Sequence, residues 1–168
     1  MIYELTVPAS IKSLRNLSNC LEKAGGYADS KKTPMEVLLT SRLAIDQFPL
    51  TRQIQIACDT AKLGASRLSG QTAPTHDDSE KTLPEIQARI KSTISYLESL
   101  NKDQFKGAEQ KQISTPRWEG KWLTGEEFAT QHLLPNLYFH VTTAYAILRH
   151  NGVEVGKTDY LGEMPFKK

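Results

Sequence analysis

The sequence predicts an all-α protein, a four-helix bundle with a short β-hairpin between the third and fourth helices. Three observations carry this reading. Four segments repeat apolar residues at three- and four-residue steps. Glycines and prolines punctuate the stretches between them. Three Thr-x-x-Glu boxes stand just ahead of helical patterns, at Thr33, Thr82 and Thr124. In such a box the threonine side chain accepts from a free backbone N–H, and the glutamate reaches back to the threonine's own N–H.

In the first segment, Val7, Ile11, Leu14, Leu17 and Leu21 form the stripe, and Gly25-Gly26 is the expected stop. The Thr33 box predicts a short helix over 34–43, leading into the second long helix around Pro49. Proline suits a first helical turn, because its missing N–H has no partner there. Leu50, Ile54, Ala57, Ala61, Ala65 and Leu68 form the second stripe, closed by Gly70. Residues 71–81 are polar and predict a surface loop. Leu83, Ile86, Ile90, Ile94 and Leu97 form the third stripe.

Between the third and fourth helices, 112–115 and 118–122 are expected to pair as a hairpin around Pro116, a plain loop being the alternative. Leu134, Leu137, Val141, Ala144 and Leu148 form the fourth stripe, ended by Asn151-Gly152. Pro135 follows a full turn over 126–134, so a kink or break is expected there, with space opening beside the bundle axis. The tail after Gly152 is expected to fold back through Tyr160 and Leu161. All of 1–168 reads as one domain.

Composition excludes several classes of function. The chain has 168 residues, 39% hydrophobic and 24% charged, which is ordinary for a folded domain. Its net charge is +2, with 21 basic and 19 acidic residues spread along the chain, so nucleic acid is not an expected partner. No apolar run approaches the ~18 residues of a membrane span. The start Met1-Ile2-Tyr3-Glu4 carries no secretory signature, and the expected location is the cytoplasm. Cys20 and Cys58 lie in helical patterns and are expected to be buried, reduced thiols.

The polar residues that interrupt the stripes are the candidates for function. Asp46, Leu50, Gln53 and Ala57 follow one another by four, three and four residues, so Asp46 and Gln53 share a core-facing side if the helix reaches back to Asp46. On the fourth helix, Asn136 lies one turn below His140 at the edge of the stripe. One reading makes His140, Asp46, Gln53 and Asn136 ligands of a divalent metal such as zinc, nickel or iron, with a bound water activated as nucleophile. The preferred reading is plainer: His140 is a core-edge histidine hydrogen-bonded to Asn136 or Gln53, and Asp46 caps the second helix. His132 is too far along a straight helix to share an ion with His140. His76 lies in the polar loop, and His150 suits the last turn of its helix. Trp118, Trp122, Tyr138, Phe139 and Tyr145 fit core or interface better than a ligand pocket. No phosphate loop, nucleophile elbow or H-E-x-x-H spacing occurs, so no catalytic residue is assigned.

The run 135–152, beginning Pro135-Asn136-Leu137-Tyr138-Phe139-His140-Val141, resembles a bacterial family of unknown function within the DinB/YfiT-like superfamily of metalloenzymes. The resemblance continues in Gly156-Lys157-Thr158-Asp159-Tyr160-Leu161-Gly162 and in Asp46-Gln47-Phe48-Pro49-Leu50 with Gln53, Gln55, Ala57 and Asp59. It implies an up-down-down-up bundle, often a dimer. It also implies a divalent metal on three histidines, one from the second helix and two, four residues apart, from the fourth. His140 resembles the second of that pair, but its partner position is Asn136, and the second helix has no histidine. The preferred expectation is therefore a metal-free or degenerate-site bundle that binds a small ligand or forms a structural homodimer. The alternative is a metal-dependent hydrolase or transferase with His140 as ligand. A DNA-binding role is the least favoured.

Overall fold

The computed structural model describes residues 1–167. Four long helices make the bundle: α1 (Ile2–Ser30), α3 (Leu50–Ser69), α4 (Leu83–Glu98) and α6 (Leu134–His150). Short helices α2 (Met35–Leu39), α5 (Gly125–Glu127) and α7 (Lys157–Leu161) sit in the connections and the tail. The strands β1 (Gln112–Ile113) and β2 (Leu123–Thr124) pair antiparallel, Gln112 with Thr124 and Ile113 with Leu123. The hairpin is thus present with its second strand later than expected, because Pro116–Trp118 forms a 3₁₀ turn.

Side-chain partners fix the directions of the helices. Tyr3 bonds the carbonyl of Leu100, and Ser18 pairs with Gln87, so α1 and α4 are antiparallel. Gln53 meets His140 and Thr60 meets Asn136, so α3 and α6 are antiparallel as well. The 70–82 connection gives the third relation. Gln71 is held by Ser66 and Tyr96, near the C-terminal ends of α3 and α4, while Glu80 is held by Gln55 and Arg89, nearer their starts. The connection therefore runs back along both helices, and α3 and α4 point the same way. The bundle is up-down-down-up, with α4 and α6 flanking α3.

The expected stripes are the core. All six residues of the α3 stripe are at most 2% exposed, and Leu14, Leu17, Leu21, Ile86, Ile90, Leu97, Leu137, Ala144 and Leu148 join them in one cluster. Gly70 closes α3 in the left-handed conformation (φ +80°), which glycine adopts without a Cβ penalty. The Thr82 and Thr124 boxes both form, each with its glutamate bonded back to the cap. The tail folds back as expected: Asn16 holds the Tyr160 carbonyl, and Lys23 pairs with Asp159.

Three local expectations are corrected. Helix α1 runs through Gly25-Gly26 to Ser30, because Ala24 and Ala28 on either side are buried and Leu83 packs where a Gly25 side chain would stand. Packing overrides a weak local stop. The Thr33 box does not form. Thr33 donates its N–H to Ala28 and its hydroxyl to the Lys31 carbonyl, closing α1, and α2 spans only Met35–Leu39. At Pro135 the helix does not break. Phe128–Leu133 widens into a π-helix, and α6 starts at Leu134. Its five-residue bonds let a carbonyl left without a partner by Pro135 take the next N–H.

Candidate functional site

A cleft of about 480 Å³ opens between α3, the π-helical start of α6 and the 115–118 arm of the hairpin. That volume suits a small molecule. His140 and Asn136 line it from α6, and Thr60, Arg52 and Arg67 from α3. A larger groove of about 690 Å³ lies between α1 and α4. Its walls carry the mutual Ser18–Gln87 pair and the Arg15–Glu98 ion pair, and no histidine or cysteine lines it.

His140 is the buried polar residue of the cleft, 7% exposed. Its Nδ1 lies 2.7 Å from Oε1 of Gln53, which is 1% exposed. The proton can be placed by elimination. The Phe48 carbonyl can only accept, so the Gln53 amide NH₂ faces it at 3.0 Å and Oε1 is left to accept from His140. Nδ1 therefore carries the hydrogen, and Nε2 keeps a lone pair. Among the described residues, Nε2 has no hydrogen-bond partner. Burial, with the nearby Arg52 cation, holds the His140 pKa below the usual histidine value, so the ring is neutral at pH 7. The result is a fixed, neutral imidazole whose basic nitrogen is unused.

Gln53 thus takes the partner role expected of it, and Asn136 does not. Asn136 donates instead to Thr60 Oγ1 at 2.8 Å, one turn further along the cleft. The expectation for Asp46 fails in both forms. Asp46 sits in an exposed turn, α3 begins only after Pro49, and no side chain caps it. The physical reason is Pro49, since the residue before a proline is pushed out of the helical region and the helix cannot reach back. Asp46 is therefore not among the residues brought together around His140.

The outer half of the cleft holds residues not assigned to it from sequence. Trp118 stacks edge-on against His132 at 5.1 Å between ring centres, and Phe128 completes a three-ring cluster, 5.4 Å from His132 and 6.1 Å from Trp118. Burial and the Arg67 charge lower the His132 pKa, so this ring too is neutral. Asp59 also lines the cleft, but its carboxylate is tied to Arg89 at 2.8 Å and Lys62 at 3.2 Å. Arg89 in turn bonds Glu80 at 2.9 Å and Asp78 at 3.0 Å, and Asp78 also takes Arg52. Three cations and three carboxylates close this network on itself. Behind it, Lys62 reaches His76 at 2.8 Å, and His76 reaches Ser92 at 2.9 Å.

Both cysteines are buried and unpaired. Burial pushes the Cys20 thiol up to about 11 and Cys58 to about 12, which leaves them unreactive. Among the described residues no group of three or more His, Cys, Asp or Glu side chains is placed to hold a metal ion. Nor is any helix long and apolar enough to cross a membrane.

Comparison with known proteins agrees with this fold. The model of a domain of unknown function, DUF1993, matches residues 2–161. The crystal structure of a DinB family member protein from Shewanella denitrificans is 60% identical. That match covers 100% of this chain and 96% of that one, with a TM-score of 0.96. No curated protein matches the chain.

Proposed function

The chain belongs to the DUF1993 family, and from that premise and the geometry of the cleft we propose that it is a small-ligand-binding bundle protein whose site lies between α3 and α6. His140 serves there as a fixed hydrogen-bond acceptor. The observation that carries the reading is the Gln53–His140 bond, which spends Nδ1 inside the protein and leaves Nε2 for a ligand. An acceptor so placed, with Thr60 and Asn136 one turn away and apolar walls from Ile56 and Leu63, has the make-up of a binding pocket.

The donors around His140 do not fit the three-histidine metal centre of related bundles. One imidazole nitrogen is free, the position one turn below it is an amide committed to Thr60, and the facing residue on α3 is a second amide already bonded at both ends. Asp59, the carboxylate that lines the cleft, is neutralised by Arg89 and Lys62. Neutral amides are poor ligands for zinc or nickel.

Two measurements test the proposal. Protein purified without chelator is expected to carry sub-stoichiometric metal that His140→Ala leaves unchanged. A fragment screen by ligand-observed NMR is expected to yield binders that His140→Ala weakens. Stoichiometric metal lost in that variant would reverse the reading in favour of a metal-dependent enzyme.

A further inference from the structure

Two arginines at the outer half of the cleft are left over when its other charges are matched. Arg52, Lys62 and Arg89 are balanced by Asp59, Asp78 and Glu80. Arg67 and Arg117 line the same cleft, and among the described residues neither guanidinium has an ion-pair or hydrogen-bond partner. Arg67 is half-buried, on the last turn of α3, and its only polar contact is its own backbone carbonyl accepting from Lys111. Neither guanidinium is shut away from water, Arg67 being half-buried and Arg117 exposed, so both keep their five N–H donors free for an incoming acceptor. Nothing on α3, the π-helix or the hairpin arm supplies one.

The groups beside these arginines define the rest of the ligand. His132 packs in a three-ring cluster with Trp118 and Phe128, and burial, with the Arg67 charge, keeps it neutral, so it does not need a carboxylate partner of the protein's own. Trp118 is partly exposed and lines the cleft, offering an aromatic wall. Trp118 and Arg117 come on the arm between β1 and β2, while Arg67 comes from α3, so the two cations line the cleft from different elements.

We propose that Arg67 and Arg117 form an oxyanion site, and that the ligand of this protein is a small molecule with a carboxylate or phosphate on an apolar, planar body. Guanidinium matches either group by paired N–H donors. The anion lies at Arg67 and Arg117, the body lies against Trp118 and His132, and the ligand's inner end reaches toward Nε2 of His140. This inference rests on the cleft being a ligand site and names what that site takes.

The test uses the full chain carrying Trp122→Phe, so that Trp118 alone reports. Trp122 is 51% exposed and does not line the cleft. Inorganic phosphate, phenyl phosphate, benzoate and neutral benzyl alcohol are titrated against Trp118 fluorescence. Phenyl phosphate or benzoate is expected to saturate, to bind about tenfold or more tightly than benzyl alcohol, and to weaken as salt rises. Phosphate against benzoate shows which oxyanion is preferred. Arg67→Gln and Arg117→Gln, whose folding is checked by thermal melting, are each expected to lose about tenfold in affinity for the anions and nothing for benzyl alcohol. Benzyl alcohol binding as tightly as the anions, unchanged in both variants, would overturn the oxyanion site and leave the cleft reading standing. No response from Trp118 to any of the probes would overturn both.

Discussion

Nδ1 of His140 stands 2.7 Å from Oε1 of Gln53, and the two residues come from antiparallel helices that meet nowhere else through so buried a polar pair. The bond sets the imidazole tautomer, and the Phe48 carbonyl sets the amide, so one backbone carbonyl at the entry to α3 decides which nitrogen faces the cleft. His140→Ala leaves Gln53 Oε1 buried without a donor, and is expected to cost about 1–3 kcal/mol. Gln53→Ala strips both His140 and the Phe48 carbonyl and is expected to cost at least as much. Urea unfolding of both single variants and the double variant checks this. The double variant is expected to cost less than the sum by about 0.5–3 kcal/mol, the signature of groups in contact. Additive losses would show that the bond contributes nothing of its own.

The pairing across α3 and α6 was readable because both residues interrupt otherwise apolar stripes, and a polar residue on a core face must find a partner. Asp46 was misplaced although the sequence held the signal against it. Pro49 stands between it and the helix, and a helix does not propagate backward through the residue preceding a proline. The outer half of the cleft could not be read in this way. Arg67, Arg117, Trp118 and His132 come from three elements, and they share a wall only because the π-helix and the 3₁₀ turn at Pro116–Trp118 set those segments as they do. Likewise the partners of Arg89 lie at 59, 78 and 80, and only the return of the 70–82 connection along both helices gathers them.

Acid is expected to weaken the fold through its histidines. His76, His132 and His140 all have pKa values below the usual ~6.5, in each case chiefly because burial disfavours the charged ring, with Lys62 and Arg89, Arg67, and Arg52 respectively adding to it. The unfolded chain therefore takes up protons first as pH falls. This contribution to stability is complete above about pH 6.5 and is lost as pH drops through the folded-state values. At His76 a neighbouring cation adds to the burial. The Lys62 ammonium can only donate, so Nδ1 of His76 must accept and Nε2–H serves Ser92; a second proton on the ring would face a cation 2.8 Å away. Asp59 and Glu80 also face His76 and oppose the shift without reversing it. Asp78 and Glu80, held low by Arg52 and Arg89 respectively against the cost of burial, titrate further down and do not mask the window. Melting temperatures are expected to fall between pH 7.5 and pH 5, and His76→Gln is expected to flatten the slope. A profile level over that range would contradict the assignment.

Arg89 is the cation on which the α3–α4 side depends. Its side chain is 1% exposed and bonds three carboxylates, Asp59, Asp78 and Glu80. Arg89→Met keeps most of the volume but leaves Glu80, 11% exposed, without a strong counter-charge. Asp59 and Asp78 retain water and keep Lys62 and Arg52, so the loss is expected at about 2–4 kcal/mol rather than the larger value of a fully buried charge left alone. Because Asp78 and Glu80 anchor the connection between α3 and α4, amide exchange over 72–81 is expected to speed up before the helices open. Unchanged protection there would mean that the remaining ties, from Arg52 to Asp78, Gln55 to Glu80 and His76 to Lys62 and Ser92, hold the strap without Arg89.

Gly125 and Gly64 make a matched pair of tests on the walls of the cleft. An alanine Cβ at Gly125 would collide with the Ala108 carbonyl, a backbone atom fixed by the 3₁₀ turn over Ala108–Gln110. Gly125 opens the turn that Thr124 caps, where β2 passes into the π-helix bearing His132. Backbone cannot yield as a side chain does, so Gly125→Ala must shift that junction, and is expected to cost about 1–3 kcal/mol and to perturb the Trp118 environment. At Gly64 the collision is with Cδ1 and Cγ of the buried Leu133, so a change of its rotamer and some repacking are needed, but it is a side chain and not backbone that must give. Gly64→Ala also gains the better helix former, worth about 1 kcal/mol, which offsets part of the clash. The expected order is therefore a larger loss at Gly125 than at Gly64, read from urea midpoints, with Trp118 fluorescence moving in the first variant and little in the second. The reverse order would place the rigid wall of the cleft on Leu133 rather than on the hairpin junction.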